Sequence, residues 1–127
     1  MSVLMIEDNP DIAEMYKLKL ELDGYRVTVA PSGEDGLDQV GQQLPDLLFL
    51  DIGLPKMDGL AVLGQLRTNV KTMHIPVVLL TAYDEQELKE RGLKLGAVDY
   101  LIKSVTTPTS LSRRVEDWAS RRQLAGV

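Results

Sequence analysis

The chain has 127 residues, 44% of them hydrophobic and 26% charged, with a formal net charge of −5 and no cysteine. That length suits one domain with a core of its own. The negative balance disfavours non-specific binding to nucleic acid or anionic lipid, and the lack of cysteine excludes a disulfide framework and thiolate metal sites.

Residues Met1 to Ile6 carry no basic leader, and acidic residues follow at once, so the start does not read as a signal peptide. No apolar run approaches the length of a membrane span. Both readings lead us to expect a cytoplasmic protein.

Ser2 to Ile6 is short, apolar and closed by Glu7-Asp8, the pattern of a buried strand. Pro10 suits the first turn of a helix, where a missing N–H is harmless. Ile12, Met15, Leu18 and Leu22 follow at helical spacing and predict the inner face, with an end before Gly24. Tyr25 to Ala30 alternates as a second strand. Ser32 then caps a helix bearing Leu37, Val40 and Leu44, weakened by Gly36 and Gly41.

Leu47 to Leu50 is a continuous apolar run, as in a central strand covered on both faces, and Asp51 closes it. Pro55-Lys56-Met57-Asp58-Gly59 is turn chemistry leading into a helix with Leu60, Leu63 and Leu66; Asp58 reads as its cap. Pro76 to Leu80 is the fourth strand, closed by Thr81. A charged helix spans Glu85 to Leu95, Asp99 to Ile102 is the fifth strand, and a last helix runs from Pro108 to about Gln123. Trp118 shares its inner face with Leu111 and Val115.

Strand and helix thus alternate five times. The fold class expected is α/β: a doubly wound five-stranded parallel sheet of order 2-1-3-4-5 with five helices, flavodoxin-like. Residues 1–124 form one domain and 125–127 a short tail.

In such a sheet, ligands bind beyond the carboxyl ends of the strands, where strand order reverses. Glu7, Asp8 and Asp51 flank that reversal, and Thr81 and Lys103 end the next strands on the same edge. Carboxylates held close repel one another unless a cation joins them, and magnesium suits oxygen ligands of this kind. Asp51 can then act as a nucleophile and form an acyl phosphate. Lys103 offers a mobile positive charge, and Thr81 a hydroxyl donor.

Four motifs in order carry a resemblance. They are Ile6-Glu7-Asp8-Asn9, Leu50-Asp51-Ile52-Gly53-Leu54-Pro55-Lys56-Met57-Asp58-Gly59, Leu80-Thr81-Ala82, and Gly96-Ala97-Val98-Asp99-Tyr100-Leu101-Ile102-Lys103. Over nearly its whole length the chain resembles the receiver domain of two-component response regulators, of the chemotaxis-regulator kind. The resemblance implies that Asp51 accepts a phosphoryl group from a histidine kinase or phosphotransfer protein, in a magnesium-dependent reaction. Asp8 and Asp51 would hold Mg2+ by side chains, Gly53 by its backbone carbonyl, and Glu7 through a bound water. Thr81, Lys103 and the backbone N–H groups of Ile52 and Ala82 would hold the phosphoryl oxygens. Thr81 and Tyr100 would be the switch pair, Tyr100 turning inward as Thr81 moves.

Two departures stand out. The family usually has Lys-Pro with a cis peptide, whereas Ser104 follows Lys103 here, so a trans bond is expected. Gly53 and Tyr83 lie two positions beyond Asp51 and Thr81, where the family tunes hydrolysis of the acyl phosphate.

The resemblance implies a phosphoacceptor switch rather than an enzyme, with self-phosphorylation from small donors and autodephosphorylation. An aspartate-nucleophile phosphatase would need a second acid where Gly53 stands. A flavin carrier would need a hydroxyl- and glycine-rich phosphate loop where Glu7-Asp8-Asn9-Pro10 stands. The alternative kept open is an isolated receiver of a longer transcription regulator or hybrid kinase. A downstream target would meet the face of the Glu85–Leu95 helix, the fifth strand and the last helix. That face would also serve a homodimer formed on phosphorylation, with Val98 weakening the case. No direct nucleic-acid or membrane contact is expected.

Overall fold

The computed structural model describes residues 1–121. The expected tail and the end of the last helix, to about Gln123, lie outside the described residues. In chain order the elements are β1 (Ser2–Ile6), α1 (Pro10–Leu22), β2 (Arg26–Ala30), α2 (Gly33–Gln42), β3 (Leu47–Leu50), α3 (Gly59–Thr68), β4 (Val77–Thr81), α4 (Gln86–Lys94), β5 (Asp99–Ile102), a 3-10 turn (Lys103–Val105), α5 (Pro108–Arg113) and α6 (Val115–Ala119). The five strands form one parallel sheet in the order β2-β1-β3-β4-β5. In register, Ile6 lies beside Leu50, Leu50 beside Leu79, and Thr81 beside Ile102, so the strand ends line one edge.

A core lies on each face of the sheet. One gathers Leu4, Ile6, Leu48, Leu50, Val77 and Leu79 against α2, α3 and α4. The other gathers Val3, Met5, Phe49, Val78 and Leu80 against α1, α5 and α6. Period-2 alternation sends successive strand residues to opposite cores, which is why β3 is apolar throughout and β4 is apolar up to Thr81.

Helix α1 buries only part of the face its apolar spacing predicts. Ala13, Tyr16 and Leu20 are inside and Ile12 is partly buried against the same core, while Met15, Leu18 and Leu22 are exposed. The interface with the sheet takes a small Ala13, Leu20 and a Tyr16 whose hydroxyl finds a partner. Helical spacing alone does not register that fit. Asn9 caps α1, its side chain accepting from the N–H of Asp11 and Ile12. Asp58 caps α3 as expected, accepting from Ala61 N–H at 2.9 Å.

The last helix also departs from expectation. It breaks into α5 and α6 at Arg114. The Arg114 guanidinium reaches the Asp99 carboxylate at 2.7 Å and lies 4.5 Å from the Trp118 ring centre. Trp118 is fully buried, meets Phe49 edge to face at 5.7 Å, and donates to Asp99 at 3.1 Å. Asp99 thereby fastens both the break and the ring to β5.

Arg67, in the last turn of α3, donates to four carbonyls: Leu95 at 3.1 Å, Met73 at 3.2 Å, Ile75 at 2.9 Å and Gly96 at 3.0 Å. Burial lowers its affinity for the proton. Each carbonyl replaces a water that the guanidinium lost on burial, so α3, the start of β4 and the end of α4 are tied together.

Candidate functional site

The site grows from three loops at the carboxyl edge. Glu7 and Asp8 follow β1, beside Asp51, which follows the neighbouring β3, and Lys103 follows β5. Glu7 and Asp51 are buried at 3% and 6% exposure; Asp8 is exposed. One carboxylate oxygen from each of the three lies within 4.8 Å of the others. Magnesium takes oxygen ligands at about 2.0–2.1 Å, and three carboxylates gathered this closely are the donor type it uses.

Gly59 lets Asp51 sit there. A Cβ at position 59 would collide with the backbone of Asp51. The turn between them carries Lys56 at φ 66°, a left-handed conformation that is uncommon outside glycine. Gly59 N–H donates to Ile52 carbonyl at 3.0 Å, closing the loop after β3 onto the start of α3.

The Lys103 ammonium bridges the two buried carboxylates, at 2.5 Å from Glu7 Oε1 and 2.8 Å from Asp51 Oδ2. Asp51 Oδ1 accepts from Gly53 N–H at 3.0 Å, and Glu7 accepts from Asn9 N–H at 3.1 Å. For Lys103, burial pulls its proton affinity down, but the bonds to Asp51 and Glu7 outweigh that and leave it raised. Glu7 is raised as well, because burial outweighs what Lys103 and Asn9 return. The two directions have one cause: two buried carboxylates share one ammonium, and one of them is left short of positive charge. With Asp8 added, three carboxylates and one ammonium sum to −2. A divalent cation with oxygen ligands balances that sum, so the residues fit magnesium.

Thr81 is fully buried, and its hydroxyl accepts from Tyr83 N–H at 3.3 Å. Tyr100 is already inward: it is 8% exposed and donates to Tyr83 carbonyl at 2.6 Å. Burial, then the charges of Glu85, Asp84 and Asp51, keep its hydroxyl protonated. The Tyr83 ring lies across Gly53; a Cβ there would stand 2.8 Å from its Cε2. Ile52 is buried and Ala82 exposed, each one residue beyond the strand-closing side chain.

The structure therefore brings Glu7, Asp8, Asp51 and Lys103 together, with Thr81 and Tyr100 along the same edge. Neither the shared ammonium nor the seating of Tyr83 over Gly53 was visible in the spacing. The described residues contain no cis peptide bond, so Lys103-Ser104 is trans, as expected. Lys103 still reaches Asp51 from within the 3-10 turn.

A doubly wound sheet of this order, with its charged groups at the strand-order reversal, defines an α/β domain whose ligand site is at that reversal. The chain matches the response regulator receiver domain family over residues 3–116, and it belongs to that family. It is 37% identical over 123 residues to the alkaline phosphatase synthesis transcriptional regulatory protein PhoP of Bacillus subtilis, covering 97% of this chain and 50% of that protein. The chain thus spans about half the length of that relative. Among solved structures, it is similar to the receiver domain of Francisella response regulator 1452, with a TM-score of 0.85, 34% identity, and 94% and 97% of the two chains covered. It is also similar to the BeF3-activated N-terminal receiver domain of Klebsiella pneumoniae RstA, with a TM-score of 0.85, 30% identity, and 94% and 98% covered. The family is one of phosphoacceptor switches that meet histidine kinases and downstream targets. Among the described residues, no helix is long and apolar enough to cross a membrane.

Proposed function

We propose that this chain is a phosphorylation-dependent signalling switch with Asp51 as acceptor. The observation that carries the reading is the buried corner where Lys103 bridges Glu7 and Asp51 beside Asp8. Asp51 oxygen attacks the phosphorus of a phosphohistidine on a sensor kinase or phosphotransfer protein. An O–P bond forms, the N–P bond breaks, and its electron pair returns to the imidazole nitrogen. Asp8 and Asp51 side chains and Gly53 carbonyl would hold Mg2+, with Glu7 acting through a water. When bound, the metal would offset the negative charge gathered around the phosphoryl group.

Lys103 follows the charge from the Asp51 carboxylate to the phosphoryl oxygens, and Ile52 and Ala82 N–H groups donate to them. Thr81 hydroxyl leaves Tyr83 N–H to do the same. Tyr100 then reports the move at the face of α4, β5, α5 and α6, where a target protein or a second copy would dock. Gly53 supplies no second acid, so phosphatase chemistry lacks its general acid. The place of action proposed is the cytoplasm, with no contact to nucleic acid or membrane.

The test is incubation with acetyl phosphate and Mg2+, followed by intact mass. The expected result is one added phosphoryl group, lost in Asp51→Asn and on removal of Mg2+. A chain that gains none, or an Asp51→Asn variant that gains it equally, refutes the reading.

A further inference from the structure

The turn that carries Lys103 has an unusual mooring. It spans Lys103–Val105 and buries none of its own residues, so no apolar contact fastens it. Ser104 supplies no ring to fix φ. Apart from the ion pairs of Lys103 with Glu7 and Asp51, what holds the turn is a set of hydrogen bonds gathered on Thr106. Thr106 N–H donates to Lys103 carbonyl at 3.2 Å, and Thr106 Oγ1 donates to Ile102 carbonyl at 2.8 Å. Thr106 carbonyl in turn accepts from the hydroxyl of Tyr16 at 2.6 Å.

Tyr16 is a different kind of anchor. It is 1% exposed and packed in the core shared by α1, α5 and the sheet. Its hydroxyl is the polar tip of an otherwise apolar side chain, and the sequence pattern gave it no role. Among the bonds gathered on Thr106, this one comes from across the chain, 90 residues away. Burial raises the phenol pKa, against the charge of Lys103 and with that of Glu7, so the hydroxyl remains a donor through neutral pH.

We infer that Tyr16 is a positioning residue for Lys103: its hydroxyl, through Thr106, fixes the turn that aims the ammonium at Asp51 and Glu7. The role rests on the phosphoacceptor function proposed above, since aim matters where Lys103 must move from carboxylate to phosphoryl oxygen. A core tyrosine with a satisfied hydroxyl is the plainer reading. The two part on one point. Simple packing predicts that loss of the hydroxyl leaves Lys103 untouched.

Tyr16→Phe removes the oxygen and keeps the ring, so the core stays filled. The first readout is the Lys103 side-chain signal in NMR, recorded at fixed neutral pH without metal. It is expected to move toward the position of a free lysine. Thr106→Val, which cuts the bond to Ile102 carbonyl, is expected to move the same signal the same way. A signal that moves in Thr106→Val and stays in Tyr16→Phe overturns the proposal, as does one that stays in both.

The second readout is the rate of phosphorylation by acetyl phosphate. Tyr16→Phe should slow it about three- to tenfold, with no further slowing once Lys103 is replaced by Ala. An equal loss in the Lys103→Ala background would mean that Tyr16 does not act through Lys103. Should the parent chain accept no phosphoryl group, the function above fails, and the Lys103 signal still decides the role of Tyr16.

Discussion

Helices α3 and α4 follow one another on the same face of the sheet, yet they are held very differently. Helix α3 buries Gly59, Leu60, Val62, Leu63 and Leu66, is capped by Asp58, and ends in the Arg67 clamp. Helix α4 buries only Gly92, with Leu88 and Leu95 partly covered, and its N-cap Glu85 makes no side-chain cap bond. The first follows the Asp51 loop and the second follows Thr81. Under the function proposed above, the group that must be aimed sits ahead of the firm helix, and the group that must move sits ahead of the loose one. Segments with few buried apolar contacts open at lower free energy, and moving elements are drawn from them.

The sharpest way to break this contrast is to truncate one leucine on each helix. Leu63→Ala should cost about 2–5 kcal/mol of stability in urea unfolding, whereas Leu88→Ala should cost about 1 kcal/mol. Equal losses would show that α4 is as well anchored as α3. A finer probe is Gly92→Ala. Alanine favours helix by about 1 kcal/mol, but its Cβ would press on the buried methyl end of Leu79. A net loss of about 1 kcal/mol is expected, with faster hydrogen exchange in α4 and unchanged exchange in α3. A stabilised variant would mean that Gly92 does not set how α4 is seated.

The smallest effect is electrostatic and joins the two halves of the edge. Lys103 is raised above the ordinary lysine value of 10.5 by its carboxylate partners. Its stabilisation is therefore fully present below about pH 10.5 and is lost as pH rises through the raised value. Thermal unfolding of the metal-free chain should show an alkaline loss in that window, and Lys103→Met should remove it. An unchanged alkaline profile in the variant would place the titrating group elsewhere.

Much of this was legible in the sequence, because strand ends are chemically abrupt. Leu50 to Asp51, Leu80 to Thr81 and Ile102 to Lys103 each pass from apolar to reactive in one step, and a parallel sheet puts such steps on one edge. The inner face of α1 was not legible. Met15, Leu18 and Leu22 have the helical spacing of a core, but periodicity does not measure how closely a helix approaches its sheet. The break at Arg114 depends on Asp99 and Trp118, which no local propensity contains. The inward seat of Tyr100 depends on a carbonyl 17 residues away. Arg67 reads as an ordinary surface cation, because nothing local tells that four carbonyls await it.

That clamp has a consequence for the order in which the chain can be made and folded. A ribosome releases this protein from its N-terminus, and three strand-helix units are out once Thr68 has emerged. Arg67 then gains Met73 and Ile75 as β4 approaches, but two of its four acceptors, Leu95 and Gly96, have yet to leave the ribosome. A guanidinium closed into a core with half its partners missing is strongly unfavourable. The early units are therefore expected to wait unclosed until the run-up to β5 arrives, and a chain halted at Lys94 is expected to stay unfolded. Translation proceeds piece by piece, and Arg67 is expected to make closure of the fold a single event.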